Sequence, residues 1–208
     1  MKYGSAIVSG MHRRGFTLVE LLVAVTIMIT LMAVALPAIN AMSGAIGRRG
    51  AADQVLLAFE QARVTALSHG VRAYVGFANE AFHPLGAEFP WHAYIIFRER
   101  TDADPAGAEF VAVTKWLFLP RHILFQRDCP LFQNAAMQTV SGLPRLADRV
   151  TLPVIAYSPT GNIDHSGDLH LYLDEGVSGK VTRGARAGAF AYINLRRFTG
   201  RAELVVVK

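Results

Sequence analysis

A long uncharged apolar run near the N-terminus constrains this 208-residue chain more than any other feature. Nineteen consecutive residues, Leu21 to Ile39, carry no charge, and no Lys or Arg occurs between Arg14 and Arg48. A helix of that length, at ~1.5 Å per residue, spans most of a ~30 Å hydrocarbon core. The mean hydropathy of +0.29 fits one such segment attached to a globular domain. We therefore expect a single membrane-spanning helix.

Two kinds of export signal are alternatives for this segment. Basic residues precede it, as in a secretory signal peptide, and Ala33-Val34-Ala35 has the form of a signal-peptidase site. Arg13-Arg14 is also compatible with a twin-arginine signal. However, the run is longer than the ~7–15 apolar residues of a signal peptide. Neither signal needs Glu20, whose burial in a membrane costs roughly 2.5–3.5 kcal/mol, so this acid requires a partner or a role.

Residues 13–25 read RRGFTLVELLVAV and resemble the cleavage and methylation motif of type IV prepilins and type II secretion pseudopilins. This resemblance implies cleavage by a prepilin peptidase between Gly15 and Phe16 on the cytoplasmic face, followed by N-methylation of Phe16. It also implies that Glu20 pairs with the N-terminal amine of a neighbouring subunit during assembly. Pro37 resembles the helix-bending proline of pilins. A start at Met11 instead of Met1 would give a short leader, and both starts remain open.

The rest of the chain changes from helical to strand-like periodicity. Apolar residues fall mostly three or four apart from Ile39 to Leu67, which predicts an amphipathic helix ending at Gly70. Three glycines, at 44, 47 and 50, are expected to weaken or bend it. Beyond it we predict strands over Val71–Ala78, His92–Arg98, Phe110–Leu119, His122–Gln126, Thr151–Tyr157, Asp168–Leu173, Ala189–Leu195 and Ala202–Val207.

Turn residues separate these predicted strands. They are Ala103–Gly107, Ser158–Asn162, Asp174–Gly176 and Thr199–Arg201. Cys129–Asp148 is predicted to be a long loop with a helical turn. Strands gathered after one helix indicate an α+β fold with an antiparallel sheet. The predicted organisation is a leader over 1–15, the membrane half of the helix over 16–39, its amphipathic half over 40–69 and a β-rich domain over 70–208.

Three C-terminal stretches narrow the resemblance. They are WLFLPRHI at 116–123, VIAYSPTG at 154–161 and Thr199-Gly200-Arg201, and they resemble the H-type minor pseudopilins and FimT-like minor pilins. This resemblance implies a pilin-like packing of two antiparallel sheets on the helix. It also implies a low-copy subunit at or near the filament tip.

The sequence offers no enzyme motif and no strong metal site. It contains no nucleophile elbow, phosphate-binding loop or zinc-protease motif, and the single cysteine, Cys129, excludes an internal disulfide. Residues 162–168 match the start of a calcium loop, but Leu173 stands where the bidentate glutamate is needed. A turn rich in Asn, Asp and Gly gives the same string. We expect no enzyme activity, metal or cofactor.

Charge is concentrated at the C-terminal end. Residues 180–208 carry a net charge of +6, whereas 16–179 carry −4. The interpretations are a solvated or intersubunit face, or contact with an anionic partner. Some FimT-like pilins are associated with DNA uptake, and Arg196, Arg197 and Arg201 would here contact phosphates from one hairpin. Glu203 stands where a second arginine would help.

Together these observations predict a minor pilin or pseudopilin, processed by prepilin peptidase, in a type II secretion pseudopilus or a type IV pilus. Its partners are other pilins or pseudopilins, contacted through the N-terminal helix. The predicted topology is a single inner-membrane pass with a cytoplasmic N-terminus and a periplasmic C-terminal domain, followed by entry into a filament. The alternatives are a DNA-binding minor pilin and a membrane-tethered binding module that does not polymerise.

Overall fold

The computed structural model describes residues 18–84, 91–104, 107, 109–120, 122–146, 149–177, 180–181 and 191–206. The chain divides between Gly44 and Ala45 into two compact units. The elements, in chain order, are α1 (Leu18–His69), β1 (Ala73–Phe77), β2 (Ala93–Glu99), β3 (Phe110–Ala112), β4 (Leu117–Phe118), β5 (Ile123–Phe125), α2 (Pro130–Asn134), β6 (Ala136–Val140), β7 (Val150–Tyr157), β8 (Leu169–Val177), β9 (Lys180–Val181), β10 (Ala191–Leu195) and β11 (Ala202–Val206).

Helix α1 ends where the sequence predicts. Gly70 adopts a left-handed backbone with φ of 64°, and its N–H donates to the carbonyl of Ala66 at 3.0 Å. Glycine adopts this conformation without a Cβ clash, so it terminates the helix cleanly. The helix is continuous through Gly44, Gly47 and Gly50, so none of these three glycines ends it.

The C-terminal part of α1 buries a stripe of mostly small side chains. Its members recur every three or four residues, with two adjacent pairs, and are Ala51, Ala52, Val55, Ala58, Phe59, Ala62 and Ala66. Alanine lets a helix backbone approach a sheet closely, because no long side chain separates them. Leu67, which the periodicity placed in this stripe, is instead about half exposed. The stripe fixes which face of the helix meets the sheets.

Two antiparallel sheets follow the helix. Sheet I has the order β3-β2-β1-β7-β6, with β4 also paired to β2. In its centre, Val75 of β1 lies opposite both Ile96 of β2 and Ile155 of β7. Sheet II has the order β11-β10-β8-β5, with β9 paired to β8. These sheets agree with the predicted α+β class, since strands gathered after one helix pair without βαβ crossovers.

The centre of sheet I, strands β1 and β2, is buried on both faces. One apolar cluster joins α1 and both sheets and includes Phe59, Val75 and Leu171. A second cluster includes Tyr74 and Trp116 and covers the other face of sheet I. Successive strand residues point to opposite faces, so β1 and β2 need apolar residues at nearly every position. This explains why their sequences are continuous apolar runs.

Several predicted strands differ from those in the structure. The run Phe110–Leu119 is two short strands, β3 and β4, and the predicted turn Asp174–Gly176 lies inside β8. Pairing of β8 with β5 and β9 extends it past the turn residues. Residues 129–148 contain the expected helical turn, α2, but also β6, which the sequence missed. The face of β6 is mostly exposed, so it lacks the apolar alternation that reveals a strand.

Candidate functional site

The N-terminal part of α1 presents an apolar surface. Every side chain from residue 18 to residue 32 is exposed, from Leu18 at 79% to Met32 at 67%. The two hydroxyls in this stretch are satisfied within the helix, because Thr26 donates to the Leu22 carbonyl at 2.7 Å and Thr30 to the Ile27 carbonyl at 2.8 Å. The segment therefore offers its surroundings almost only apolar groups.

Glu20 is the charged residue of this apolar segment, in the first described turn of α1. A carboxylate at a helix N-terminal turn is favoured by the helix dipole.

The predicted processing residues Gly15 and Phe16 lie outside the described residues. Pro37 lies within α1. Within the part of the chain that the structure describes, no helix combines the length and the apolar character that a membrane span requires.

The predicted basic residues meet at the turn between β10 and β11, here called the basic hairpin and defined as residues 196–201. The Arg196 N–H donates to the Arg201 carbonyl at 2.9 Å, and the Gly200 N–H donates to the Arg196 carbonyl at 2.8 Å. Gly200 is left-handed, with φ of 63°, which closes this four-residue loop. The structure thus brings Arg196, Arg197 and Arg201 onto one turn.

The three arginines have different electrostatic surroundings. The Arg196 guanidinium lies 3.3 Å from carboxylate oxygens of both Asp168 and Glu203. These acids raise the pKa of Arg196, with the hydrogen bond to Asp168 the larger cause. Conversely, the Arg197 N–H, at 2.9 Å, and the Arg196 side chain lower the pKa of Asp168. The positive charge of Arg196 is therefore largely compensated within the chain.

Arg197 and Arg201 are less compensated. The Arg197 guanidinium donates to the Ser166 carbonyl at 3.0 Å and stacks over the Phe198 ring, 5.0 Å from its centroid. Phe198 itself is 75% exposed. Among the described residues, no carboxylate lies within ion-pair distance of Arg197 or Arg201. The sequence indicated these arginines and the aromatic beside them, whereas the stacking of Arg197 on the Phe198 ring is seen in the structure alone.

The basic hairpin is held against the loop after β7. The Ile163 N–H donates to the Arg197 carbonyl at 3.0 Å, and Arg63 of α1 donates to the Thr199 carbonyl at 2.9 Å. A Cβ on Gly200 would overlap the carbonyl oxygen of Gly161. The SPTG and TGR stretches therefore form one packed junction, and part of their sequence serves packing instead of binding.

The remaining candidates do not form a chemical site in the described residues. No group of three or more His, Cys, Asp or Glu side chains is placed to hold a metal ion there. In the calcium-like stretch, Asp164 pairs with Arg72 at 3.2 Å, and Asp168 is engaged by the basic hairpin. The Cys129 thiol is buried, and this burial raises its pKa, which disfavours the reactive thiolate.

Comparison with protein families finds one region of similarity. Residues 10–36 match the model of the prokaryotic N-terminal methylation motif, which is characteristic of type IV pilin-like prepilins. The resemblance predicted from residues 13–25 is therefore confirmed. This motif supports a type IV pilin-like protein processed by prepilin peptidase, and its family is structural, not enzymatic. Comparison with the curated proteins and with the solved structures finds no match.

Proposed function

We propose that this chain is a minor pilin or pseudopilin subunit that is assembled into a type II secretion pseudopilus or a type IV pilus. The observation that carries the proposal is the methylation motif at residues 10–36 joined to a helix whose side chains are all exposed from 18 to 32. Fifteen exposed and mostly apolar side chains need a covering environment, because leaving them in water forfeits about 25 cal/mol per Å². A bilayer before assembly and neighbouring helices after it supply that environment.

The processing and assembly steps follow from the residues of the motif. We assign cleavage to the Gly15–Phe16 bond and N-methylation to the new Phe16 amine. Glu20 then pairs with the N-terminal amine of a neighbouring subunit, because an acid in an apolar helix bundle is stabilised by an opposite charge. Pro37 bends the apolar half of the helix. This role needs no enzyme activity, cofactor or metal from the chain.

The proposed topology is a single inner-membrane pass. Basic residues before the apolar run, Arg13 and Arg14, favour a cytoplasmic N-terminus under the positive-inside rule. The domain from residue 45 onward then lies in the periplasm. We further propose a low copy number, since Cys129 is the single cysteine and the domain therefore lacks the internal disulfide that braces many major pilins.

The mature N-terminus tests this proposal directly. Mass spectrometry of the membrane-bound chain should find an N-methylated Phe16 as the first residue when prepilin peptidase is present. Gly15→Val should leave the chain uncleaved, because the bulky side chain occupies the position before the scissile bond. Leu31→Val, within the exposed apolar segment, is the matched control and should be processed normally. An unmodified N-terminus at Met1 or Met11 would contradict the proposal.

A second candidate function is sequence-independent DNA binding within the same filament. The supporting observation is the turn that carries half-buried Arg197 and exposed Arg201, neither of which has a carboxylate at ion-pair distance among the described residues. Two such guanidiniums and the packed Phe198 ring suit a phosphate backbone, which is contacted through charge. Compensation of Arg196 by Asp168 and Glu203 reduces the number of phosphates this hairpin neutralises.

A further inference from the structure

Strand β11 forms an edge of sheet II that no other described strand covers. It pairs with β10 on one side, and the sheet order places it at the end. The hydrogen bond from Arg196 to Arg201 fixes which residues of β11 face β10, because hydrogen-bonded pairs alternate along an antiparallel ladder. Glu203 and Val205 therefore direct their backbone groups toward β10, and Ala202, Leu204 and Val206 direct theirs outward.

The opposite side of the sheet gives the same alternation. The Gln126 N–H donates to the Tyr172 carbonyl at 2.9 Å, so Tyr172 of β8 faces β5 and Leu171 faces β10. Leu171 is paired with Ile193, and Tyr172 with Tyr192. Tyr192 consequently faces β11, where it is opposite Val205. Both ends of sheet II thus assign the N–H and carbonyl groups of Ala202, Leu204 and Val206 to the free edge.

This edge has few of the features by which proteins protect exposed strands, because Glu203 is the one charged side chain of β11. Edge strands are usually short, or carry proline, lysine or a bulge. The described edge strands β3, β4 and β5 have only two or three residues. Strand β11 has five, reads AELVV and contains no proline, and Val206 is 66% exposed. Strand β6 is equally long but is more polar, reading AMQTV.

We propose that β11 pairs with β11 of a second copy of this chain, antiparallel and centred on Leu204. In this register Leu204 faces Leu204, and Ala202 faces Val206 on each side. All three pairs then use outward backbone groups, so every N–H and carbonyl of the edge gains a partner. An extended strand is the chemistry that such an edge recognises, and a two-fold contact uses one surface on both copies.

The side chains favour this register over its neighbour. Centring on Leu204 places Glu203 opposite Val205 of the other copy, whereas centring on Glu203 would oppose two carboxylates, which destabilises a sheet. Ala202 and Leu204 already pack on the central apolar cluster. Pairing therefore extends an existing apolar surface and separates the charges. This inference does not depend on the proposed function, because it uses only the β-domain.

Disulfide trapping between full-length chains tests the register. One tagged copy carries Glu203→Cys and a differently tagged copy carries Val205→Cys, both at positions with exposed or half-buried side chains. In the proposed register these two positions form a pair without backbone hydrogen bonds, with ~4.5 Å between Cα atoms. This separation lies within disulfide range. Chains of the same variant hold their cysteines ~8 Å apart, too far for a bridge.

Under mild oxidation we expect the mixed pair to cross-link about fivefold more than either variant alone, because only that pair meets disulfide geometry. Equal cross-linking in all three combinations, or none, would overturn the proposal. Val205→Lys and Val205→Glu provide a measurement that does not need cysteines. The first should tighten association of labelled full-length chains and the second should weaken it, each by roughly threefold. Identical effects of the two charges would also overturn it.

Discussion

Gly200 occupies a position in the basic hairpin where a side chain has no room. Its φ is 63°, a left-handed conformation that costs a residue with a Cβ ~1–2 kcal/mol, and a Cβ would overlap the Gly161 carbonyl. Gly161 is itself left-handed, with φ of 80°. The two glycines let the loop after β7 and the basic hairpin touch through their backbones.

Gly200→Ala should therefore lower the free energy of unfolding of residues 45–208 by about 2 kcal/mol or more. Gly50→Ala is the matched control, since a Cβ there meets no atom within 4 Å and alanine favours a helix by ~1 kcal/mol. Denaturant unfolding followed by tryptophan fluorescence measures both, because Trp91 and Trp116 are buried. Equal stabilities of the Gly200 variant and the wild-type chain would contradict this packing.

At the residue scale, the sequence indicated candidate residues but not the contacts that surround them. The motif at 13–25 could be recognised from the sequence because its residues are consecutive in the chain. The ion pair that compensates the charge of Arg196 could not be predicted from the sequence. Its partner Asp168 lies 28 positions away and is brought close by the pairing of β8 with β10. The contact of Arg63 with Thr199 joins residues 136 positions apart. Such contacts depend on tertiary packing.

The β10–β11 hairpin is the element on which DNA binding is tested. For residues 45–208, a separate compact unit, we expect duplex binding at ~50 mM salt with a steep salt dependence. Arg197→Ala with Arg201→Ala should reduce the log–log salt slope by about 2, since each arginine contacts one phosphate. Arg127→Ala, an exposed arginine paired with Glu80 at 2.7 Å, should leave the slope unchanged.

Gel shift or fluorescence anisotropy measures this slope. Absence of binding by the wild-type domain at ~50 mM salt would remove DNA as a ligand of this hairpin. DNA binding that is unchanged when Arg197 and Arg201 are both replaced by alanine would place the contact elsewhere on the chain. The two results separate a wrong ligand from a wrong site.

Among the elements, those with strong periodicity were predictable and those defined by pairing were not. The end of α1 at Gly70 and the strand cores of β1, β2, β7 and β10 follow from apolar spacing and turn residues. The predicted turn at 174–176 failed because β5 and β9 pair with that stretch and hold it extended. Strand β6 was missed because its partner β7, not its own sequence, makes it a strand.

At the scale of the whole molecule, the proposed function draws on two parts of the chain, the N-terminal motif and the β-domain. The methylation motif at residues 10–36 is characteristic of type IV pilin-like prepilins and supports the proposed function, and it lies entirely before the residues that form the β-domain. The two sheets, the shared core and the basic hairpin describe what such a subunit would display. The proposed rank and assembly in a filament involve both parts of the chain, so they are tested on the full-length chain.

Glu20→Val separates processing from assembly in the full-length chain. The substitution lies four residues beyond Phe16 in sequence, so prepilin peptidase should still cleave and Phe16 should still be methylated. If Glu20 has the proposed role, removing its carboxylate leaves a neighbour's N-terminal amine charged in an apolar bundle, at a cost of several kcal/mol. Quantitative proteomics of purified filaments should therefore find the wild-type chain as a low-abundance subunit. The Glu20 variant should be depleted at least about tenfold, which is the factor that ~1.4 kcal/mol corresponds to.

Leu31→Val is the control and should enter filaments at the wild-type level. A processed Glu20 variant that assembles normally would contradict the role of this acid, and a wild-type chain found as the dominant subunit would contradict the minor rank.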